Sequence, residues 1–392
     1  MKILLSNLTK MVNDSGGLAK VTSAFANEMK KRGHQVSLVY SDVTLGEFFY
    51  PLDKDIKAYD IRHYNGQTIS YPWYLKIKRE FFRLFDKQKA RTVNNDFAFK
   101  FLRDNLNDIL NRVNPDIIVS FQPASSKMLL CDLNTRTPVI TMSHGDPEDY
   151  FHFYPSAEIP ALEKSTVCQV LLPIYEKHLL NHLPSVKTIV IGNAIPQYTI
   201  QAQPGSKKKT HTILFIGRLS KNHKRPHILI QAFADIAEEF PNWNVEILGA
   251  IDGKAYYEEL KFLINKSNLE NRIFLKGTTQ NVSSVLKKGD IFAFPSAYEG
   301  FSLALGEAMS MGLPSIAFKS CISANGMIDN EKTGILCEDG VDEFKKGLIY
   351  LMNDSILRHN LGYCARLSMK KFSPEAIWCQ WERLLEDSIM KN

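Results

Sequence analysis

The run Pro295-Ser296-Ala297-Tyr298-Glu299-Gly300-Phe301-Ser302-Leu303-Ala304-Leu305-Gly306-Glu307-Ala308-Met309 joins an apolar strand to an apolar helix. Ahead of it, Asp290-Ile291-Phe292-Ala293-Phe294 reads as a buried strand. Behind it, Met311-Gly312-Leu313-Pro314 is a stop signal, and Ser315-Ile316-Ala317-Phe318 reads as a second strand. Strand, loop, helix, strand is the unit whose ligands gather beyond the carboxyl end of the strand. Ser302 suits an N-cap, where its hydroxyl can accept from a backbone N–H, so the helix is expected to begin there. Glu307 then falls more than a turn inside the helix, and Glu299 stays in the loop at its mouth. Two carboxylates suit a ligand rich in hydroxyls, and the N–H groups between them suit a phosphate.

Outward from this stretch the chain alternates strands and helices. Lys2-Ile3-Leu4-Leu5 is a strand, Leu18 to Lys31 an amphipathic helix closed by Gly33, and Gln35 to Tyr40 the next strand. Short apolar strands recur at residues 115–120, 138–142, 168–172 and 188–191, and again at 211–216, 244–248 and 273–275. Such alternation implies parallel sheets covered on both faces. Near residue 200 the texture breaks, and Gln201-Ala202-Gln203-Pro204-Gly205-Ser206-Lys207-Lys208-Lys209 reads as a linker or exposed hairpin.

At 392 residues the chain is long enough for two domains, and 44% hydrophobic with 23% charged residues is the composition of a soluble protein. No run of 18 or more apolar residues spans a membrane, and the first residues lack the apolar core of a signal peptide. The six cysteines are scattered without a C-x-x-C pair and read as reduced thiols. A net charge of +6 favours anionic ligands and anionic membrane surfaces but is too weak to imply nucleic acid.

The Glu299-x7-Glu307 spacing, in its strand–loop–helix–strand setting, resembles the retaining glycosyltransferases of family 4. The resemblance is strong over 211–340 and thins to fold level over 41–135. It implies the α/β GT-B fold, with two Rossmann-like domains whose parallel sheets face a cleft between them. Residues 1–195 would bind the acceptor and 196–373 the nucleotide-sugar donor, with the C-terminal helix 374–392, bearing Trp378 and Trp381, packing back on the first domain. Gly300, Phe301, Ser302 and Leu303 would border the donor, Glu307 would hold the ribose diol, and Glu299 the sugar hydroxyls.

Phe215-Ile216-Gly217-Arg218-Leu219-Ser220-Lys221-Asn222-His223-Lys224-Arg225-Pro226 is similar to the family's Gly-Arg-Leu…Lys element. A departing diphosphate must have its charge neutralised, and Arg218 offers a planar fork while Lys224 offers a point charge. The clustered basics leave either Lys224 or Lys221 as the partner of Arg218, with spacing favouring Lys224. Thr141-Met142-Ser143-His144-Gly145-Asp146 puts His144 at the end of a strand, matching a family position beside the donor sugar; Asp146 and Glu148 are its candidate neighbours. Ser15-Gly16-Gly17 resembles the family's Gly-Gly loop by the diphosphate, and Gly16 and Gly17 allow close backbone approach. It departs from G-x-G-x-x-G, which disfavours a nicotinamide dinucleotide. Gly192-Asn193-Ala194-Ile195-Pro196 and Asn325-Gly326-Met327-Ile328 are weaker matches. Asp53-Lys54-Asp55 is a chance D-x-D, and His178 and His182 are ordinary helix residues without a third ligand.

These expectations amount to retaining transfer of a hexose-type sugar from a UDP-sugar, favoured over a GDP-sugar, to a hydroxyl of a glycan or lipid-linked glycan in bacterial surface polysaccharide synthesis. No cofactor and no metal are expected, with Arg218 and Lys224 in the metal's place. The alternatives are a non-hydrolysing nucleotide-sugar epimerase and a catalytically silent accessory subunit of the same fold. The expected location is the cytoplasm, peripheral to the inner face of the membrane. In residues 71–91, Trp73, Ile77, Phe81 and Phe85 recur every fourth position, flanked by Lys76, Arg79, Arg83 and Lys87. Such a segment is an in-plane interfacial helix, a core helix with a basic outer face, or an acceptor channel.

Overall fold

Two parallel sheets carry the fold, as the short apolar runs require: strands covered on both faces read as continuous Val, Ile, Leu and Phe. The computed structural model describes residues 1–390. They form two units: Met1–Gly192 with the chain from Trp378 onward, and Asn193–Ile377.

In the first unit, β1 (Lys2–Asn7), β2 (Gln35–Tyr40), β3 (Lys57–Asp60), β4 (Ile117–Ser120), β5 (Val139–Met142), β6 (Val167–Val170) and β7 (Thr188–Val190) lie in the order β3-β2-β1-β4-β5-β6-β7. The order reverses between β1 and β4, where Ile3 to Ser6 run beside Ile117 to Ser120. Helix α1 (Gly17–Lys31) links β1 to β2. Helices α2 (Trp73–Phe85) and α3 (Lys87–Phe101) form a hairpin that bends at Asp86, whose carboxylate caps α3 by accepting from the Lys89 N–H. The C-terminal helix, Pro374–Met390, presents Trp378 and Trp381 edge-on to Phe25 of α1, with ring centroids 5.6 and 4.9 Å away. All three rings are buried, so the chain's last helix completes the first unit's core.

In the second unit, β8 (His211–Ile216), β9 (Trp243–Leu248), β10 (Ile273–Gly277), β11 (Ile291–Phe294), β12 (Ser315–Phe318) and β13 (Ile335–Cys337) lie in the order β10-β9-β8-β11-β12-β13. Helices α4 (Pro226–Ala234), α5 (Lys254–Lys266) and α6 (Leu303–Ser310) connect them. Phe215, Phe233, Ile247, Phe318 and Phe344 pack in one buried cluster. Here too the order reverses beside the first strand, between β8 and β11.

Residues 201–209 are neither a domain linker nor a free hairpin. The Ala202 N–H donates to the Met311 carbonyl, the Pro204 carbonyl accepts from Arg358, and Lys208 pairs with Asp290 at 2.8 Å. A Cβ on Gly205 would stand 2.8 Å from the Ser355 carbonyl oxygen, so this segment is pressed onto the second unit. Its polar composition hid a strap whose backbone and lysine are engaged within the unit.

Candidate active site

Because β8 and β11 pair side by side, with Ile213 opposite Ile291, the loops that leave them emerge together at the point where strand order reverses. That is where open α/β sheets place their ligands. The two loops are tied to each other. The His223 carbonyl accepts from the Ala297 N–H at 2.8 Å, and Arg225 Nε donates to the Pro295 carbonyl at 2.9 Å. Arg225 also reaches Asp339 at 3.0 Å and lies over the Phe318 ring. It adopts a left-handed conformation, φ +49°, directly before Pro226 opens α4.

Within this frame Lys224 Nζ lies 2.5 Å from Glu299 Oε1, with the side chains 20% and 16% exposed. The same ammonium sits 5.3 Å from the centroid of Phe294. Gly217 leaves room for the lysine stem, since a Cβ there would stand 3.3 Å from Lys224 Cδ. Gly249, at φ +155°, matters more: a Cβ on it would fall 1.8 Å from the Gly217 carbonyl oxygen. No side chain fits, so the Gly217–Arg218 turn can press against the end of β9. Lys221 points elsewhere, to Glu259 of α5 at 2.8 Å. Arg218 is more than half exposed, its Nη1 4.0 Å from Asp252. Of the two lysines the sequence left open, Lys224 is the one that meets the glutamate loop.

Helix α6 starts at Leu303 with Ser302 before it, but the Ser302 hydroxyl does not cap it. That hydroxyl instead pairs with the Ser323 hydroxyl at 2.7 Å, where burial of both side chains favours a partner across the core. The Leu303 N–H turns back to the Phe301 carbonyl, and the Gly306 N–H closes the first helical turn onto Ser302. Among the described residues, no carbonyl or side chain accepts from the N–H groups of Phe301, Ser302, Ala304 or Leu305. These are the orphan donors of a helix start, and together with the helix dipole they favour an anion. Phe301 is anchored edge-on to Phe372 at 5.3 Å, which fixes the backbone beside them.

Glu307 lies buried in the same helix. Its neighbour Gly306 admits Ile195, whose Cδ1 would stand 2.7 Å from any Cβ at that position. Tyr198 is close enough that, after burial itself, the Glu307 charge pushes its phenol above the ordinary range. Tyr198 escaped the sequence reading; the signal was its place just after the Asn193–Pro196 entry element. Asn325, the weaker match, donates to the Lys319 carbonyl.

In the first unit, Gly16 stands at the N-terminus of α1 and donates its N–H to Asp14 at 3.0 Å. The loop before it hangs on Asp42, a residue the sequence reading passed over. Asp42 Oδ2 accepts from the N–H groups of Met11 and Val12 at 2.8 Å each, and Oδ1 from Val43 and Thr44. Burial pushes this carboxyl up, but the four backbone donors outweigh it and hold its pKa below the usual value. His144 follows β5 as expected and stacks on Phe121, ring centroids 5.5 Å apart. The residue is only partly buried, but its Nε2 is shut off from solvent, and burial draws its pKa down to about 4. It is therefore a neutral imidazole at neutral pH. Asp146 and Glu148 pair with His178 at 2.8 Å and His182 at 3.0 Å. Among the described residues, no three His, Cys, Asp or Glu side chains converge in a way that could hold a metal ion.

Residues 197–368 match the family model described as glycosyl transferases group 1. The chain is 24% identical over 382 residues to an uncharacterized glycosyltransferase of Haemophilus influenzae, covering 95% of this chain and 97% of that one. It is 33% identical over 158 residues to the UDP-Gal:alpha-D-GlcNAc-diphosphoundecaprenol alpha-1,3-galactosyltransferase of Escherichia coli, 39% of each chain. The pneumococcal O-GlcNAc transferase GtfA, solved with UDP and GlcNAc, has the same fold, with a TM-score of 0.77 at 13% identity over 99% of both chains.

Proposed function

We propose that this chain, a GT-B glycosyltransferase whose residues 197–368 belong to the group 1 family, is a retaining hexosyltransferase using a nucleoside diphosphate sugar. The observation that carries the reading is the Lys224–Glu299 pair beside the orphan N–H groups of α6, with Glu307 buried a turn further in. The N–H groups of Phe301 and Ser302, with Lys224 and Arg218, take up the charge of the departing diphosphate. Glu307 accepts from the ribose diol and Glu299 from sugar hydroxyls. The first unit's own candidates are His144 and the Gly16–Gly17 turn.

In the proposed step the bond from the anomeric carbon to the β-phosphate oxygen breaks through an oxocarbenium-like state. The acceptor oxygen bonds to the same face of that carbon, and its proton passes to the departing phosphate oxygen. No carboxylate nucleophile and no divalent metal take part. A uridine donor and a glycan or lipid-linked acceptor are favoured, in line with the Escherichia coli relative named for UDP-Gal and a diphosphoundecaprenol acceptor. The enzyme would act in the cytoplasm, where such an acceptor is presented at the inner face of the membrane.

A thermal-shift panel of UDP- and GDP-sugars tests the donor, because a ligand at 100 times its Kd adds about 2.7 kcal/mol of stability. Incubation with the stabilising donor must then yield a glycosylated product only when acceptor is added. A sugar-nucleotide product formed without acceptor would make the protein an epimerase. Stabilisation by a donor with no turnover on any acceptor would make it a silent subunit.

A further inference from the structure

Helix α2 buries none of its residues. Trp73, Tyr74, Ile77, Phe81, Leu84 and Phe85 are all exposed, five of them by 61% or more. At 100° per residue they fall within an arc of about 120°. The opposite side of the helix does the packing: Leu75 touches the hydrophobic core, and α3 runs alongside. A core helix would hide that stripe, so of the three readings of this segment the packed one is excluded. Arg79 belongs to the inner side as well, over the Tyr71 ring and paired with Glu80 at 2.7 Å. Lys78 borders one edge of the stripe, and Lys76 and Arg83 the other, all exposed.

Charge is concentrated in the same place. Residues 71–91 hold seven Lys and Arg against two acids, a net +5 in a chain whose formal total is +6. The other 371 residues are thus close to neutral. A second copy of the chain would bring a like +5 against this face, and a nucleic acid would leave the apolar stripe in water. A lipid surface with anionic headgroups satisfies both halves at once.

We infer that α2 is an in-plane membrane anchor: its aromatic stripe enters the headgroup–acyl boundary of an anionic leaflet, and Lys76, Lys78 and Arg83 contact the headgroup phosphates. This deepens the proposed function by naming the surface that would hold the enzyme where a lipid-linked acceptor is presented. The binding itself needs neither donor nor turnover.

The full-length protein is mixed at low salt with vesicles of pure phosphatidylglycerol and, separately, of pure phosphatidylcholine. Trp73 reports insertion, because it is exposed while Trp243, Trp378 and Trp381 are buried. The expected result is co-sedimentation with the anionic vesicles alone and a blue shift of tryptophan emission. The triple variant Lys76→Glu, Lys78→Glu, Arg83→Glu should lose at least tenfold in partitioning while keeping its thermal unfolding, since all three side chains are in solvent. Absence of binding to phosphatidylglycerol, or equal binding by the triple variant, overturns the proposal. Binding without a blue shift overturns the inserted geometry, and a stable dimer dispersed by Phe81→Asp with no vesicle binding assigns the face to a second copy. Donor-dependent stabilisation, measured without vesicles, stands or falls separately.

Discussion

Lys224 and Glu299 form one ion pair, Nζ to Oε1 at 2.5 Å, bridging the loop that leaves β8 and the loop that leaves β11. Neither residue can be altered without changing its partner's environment, because both are about four-fifths buried and each loses a close counter-charge when the other is removed. Lys224→Ala and Glu299→Ala should therefore be non-additive. The double variant is expected to lose less transition-state stabilisation than the sum of the singles, by about 0.5–3 kcal/mol. Steady-state kinetics with the donor identified by thermal shift measures this, and additive losses would separate the two roles. Glu299→Ala should lower kcat more than it raises KM if the sugar contact tightens as the ring flattens.

Glu307 should behave differently. Its carboxylate is buried and its proposed contact is to the ribose, which does not change during transfer. Glu307→Ala is expected to weaken donor binding by about 1.5–3 kcal/mol, the range for a hydrogen bond to a charged group. Calorimetric titration with the nucleoside diphosphate alone should show the same loss, because the sugar is not involved. Unchanged affinity would remove Glu307 from the donor site.

If Arg218, Lys224 and the α6 N–H groups carry the diphosphate charge, activity in excess chelator should equal activity in buffer. Loss of turnover on chelation, restored by magnesium or manganese, would overturn that assignment.

His144 makes a prediction about acid. Its pKa is lowered from 6.5 to about 4 by burial, so an unfolded chain binds a proton between those values that the folded chain does not. Its contribution to stability is complete above about pH 6.5 and is lost as pH falls toward about 4. His144→Phe, which keeps a ring on Phe121, should be less sensitive than the parent to acid over that window. Urea unfolding of both proteins at several pH values decides it; parallel stability curves would mean the ring is solvated.

The unit around the site was legible because its strands are covered on both faces and announce themselves as apolar runs. β11 and β12 lie at the residues read from the sequence, 291–294 and 315–318. Strand β3 was not seen, since Lys57-Ala58-Tyr59-Asp60 sits at the sheet edge with two exposed residues and carries no apolar run. Site chemistry was legible only as far as residue type and spacing reach. Among the basic residues within 221–225 spacing favoured Lys224 without closing the choice, because what separates Lys224 from Lys221 is Glu299 on one side and Glu259 on the other, both distant in the chain. Asp42 was invisible for a similar reason: an acid after a strand is common, and its four N–H donors belong to a loop 30 residues away and to its own turn. Ser302 misled because cap preference is local, whereas the Ser323 hydroxyl that claims it arrives from the next crossover.

The Phe25–Trp378–Trp381 cluster sets an order for synthesis. About 350 residues separate Phe25 from its tryptophans, which at ribosomal rates is on the order of 20–70 s of translation. Throughout that interval α1 lacks the rings that cover Phe25, whereas Asn193–Ile377 is contiguous and has all of its chain earlier. The domain encoded first is thus the one finished last. A message truncated ahead of Trp378 would yield a product with one complete domain and one exposed core, a natural substrate for chaperones and proteases.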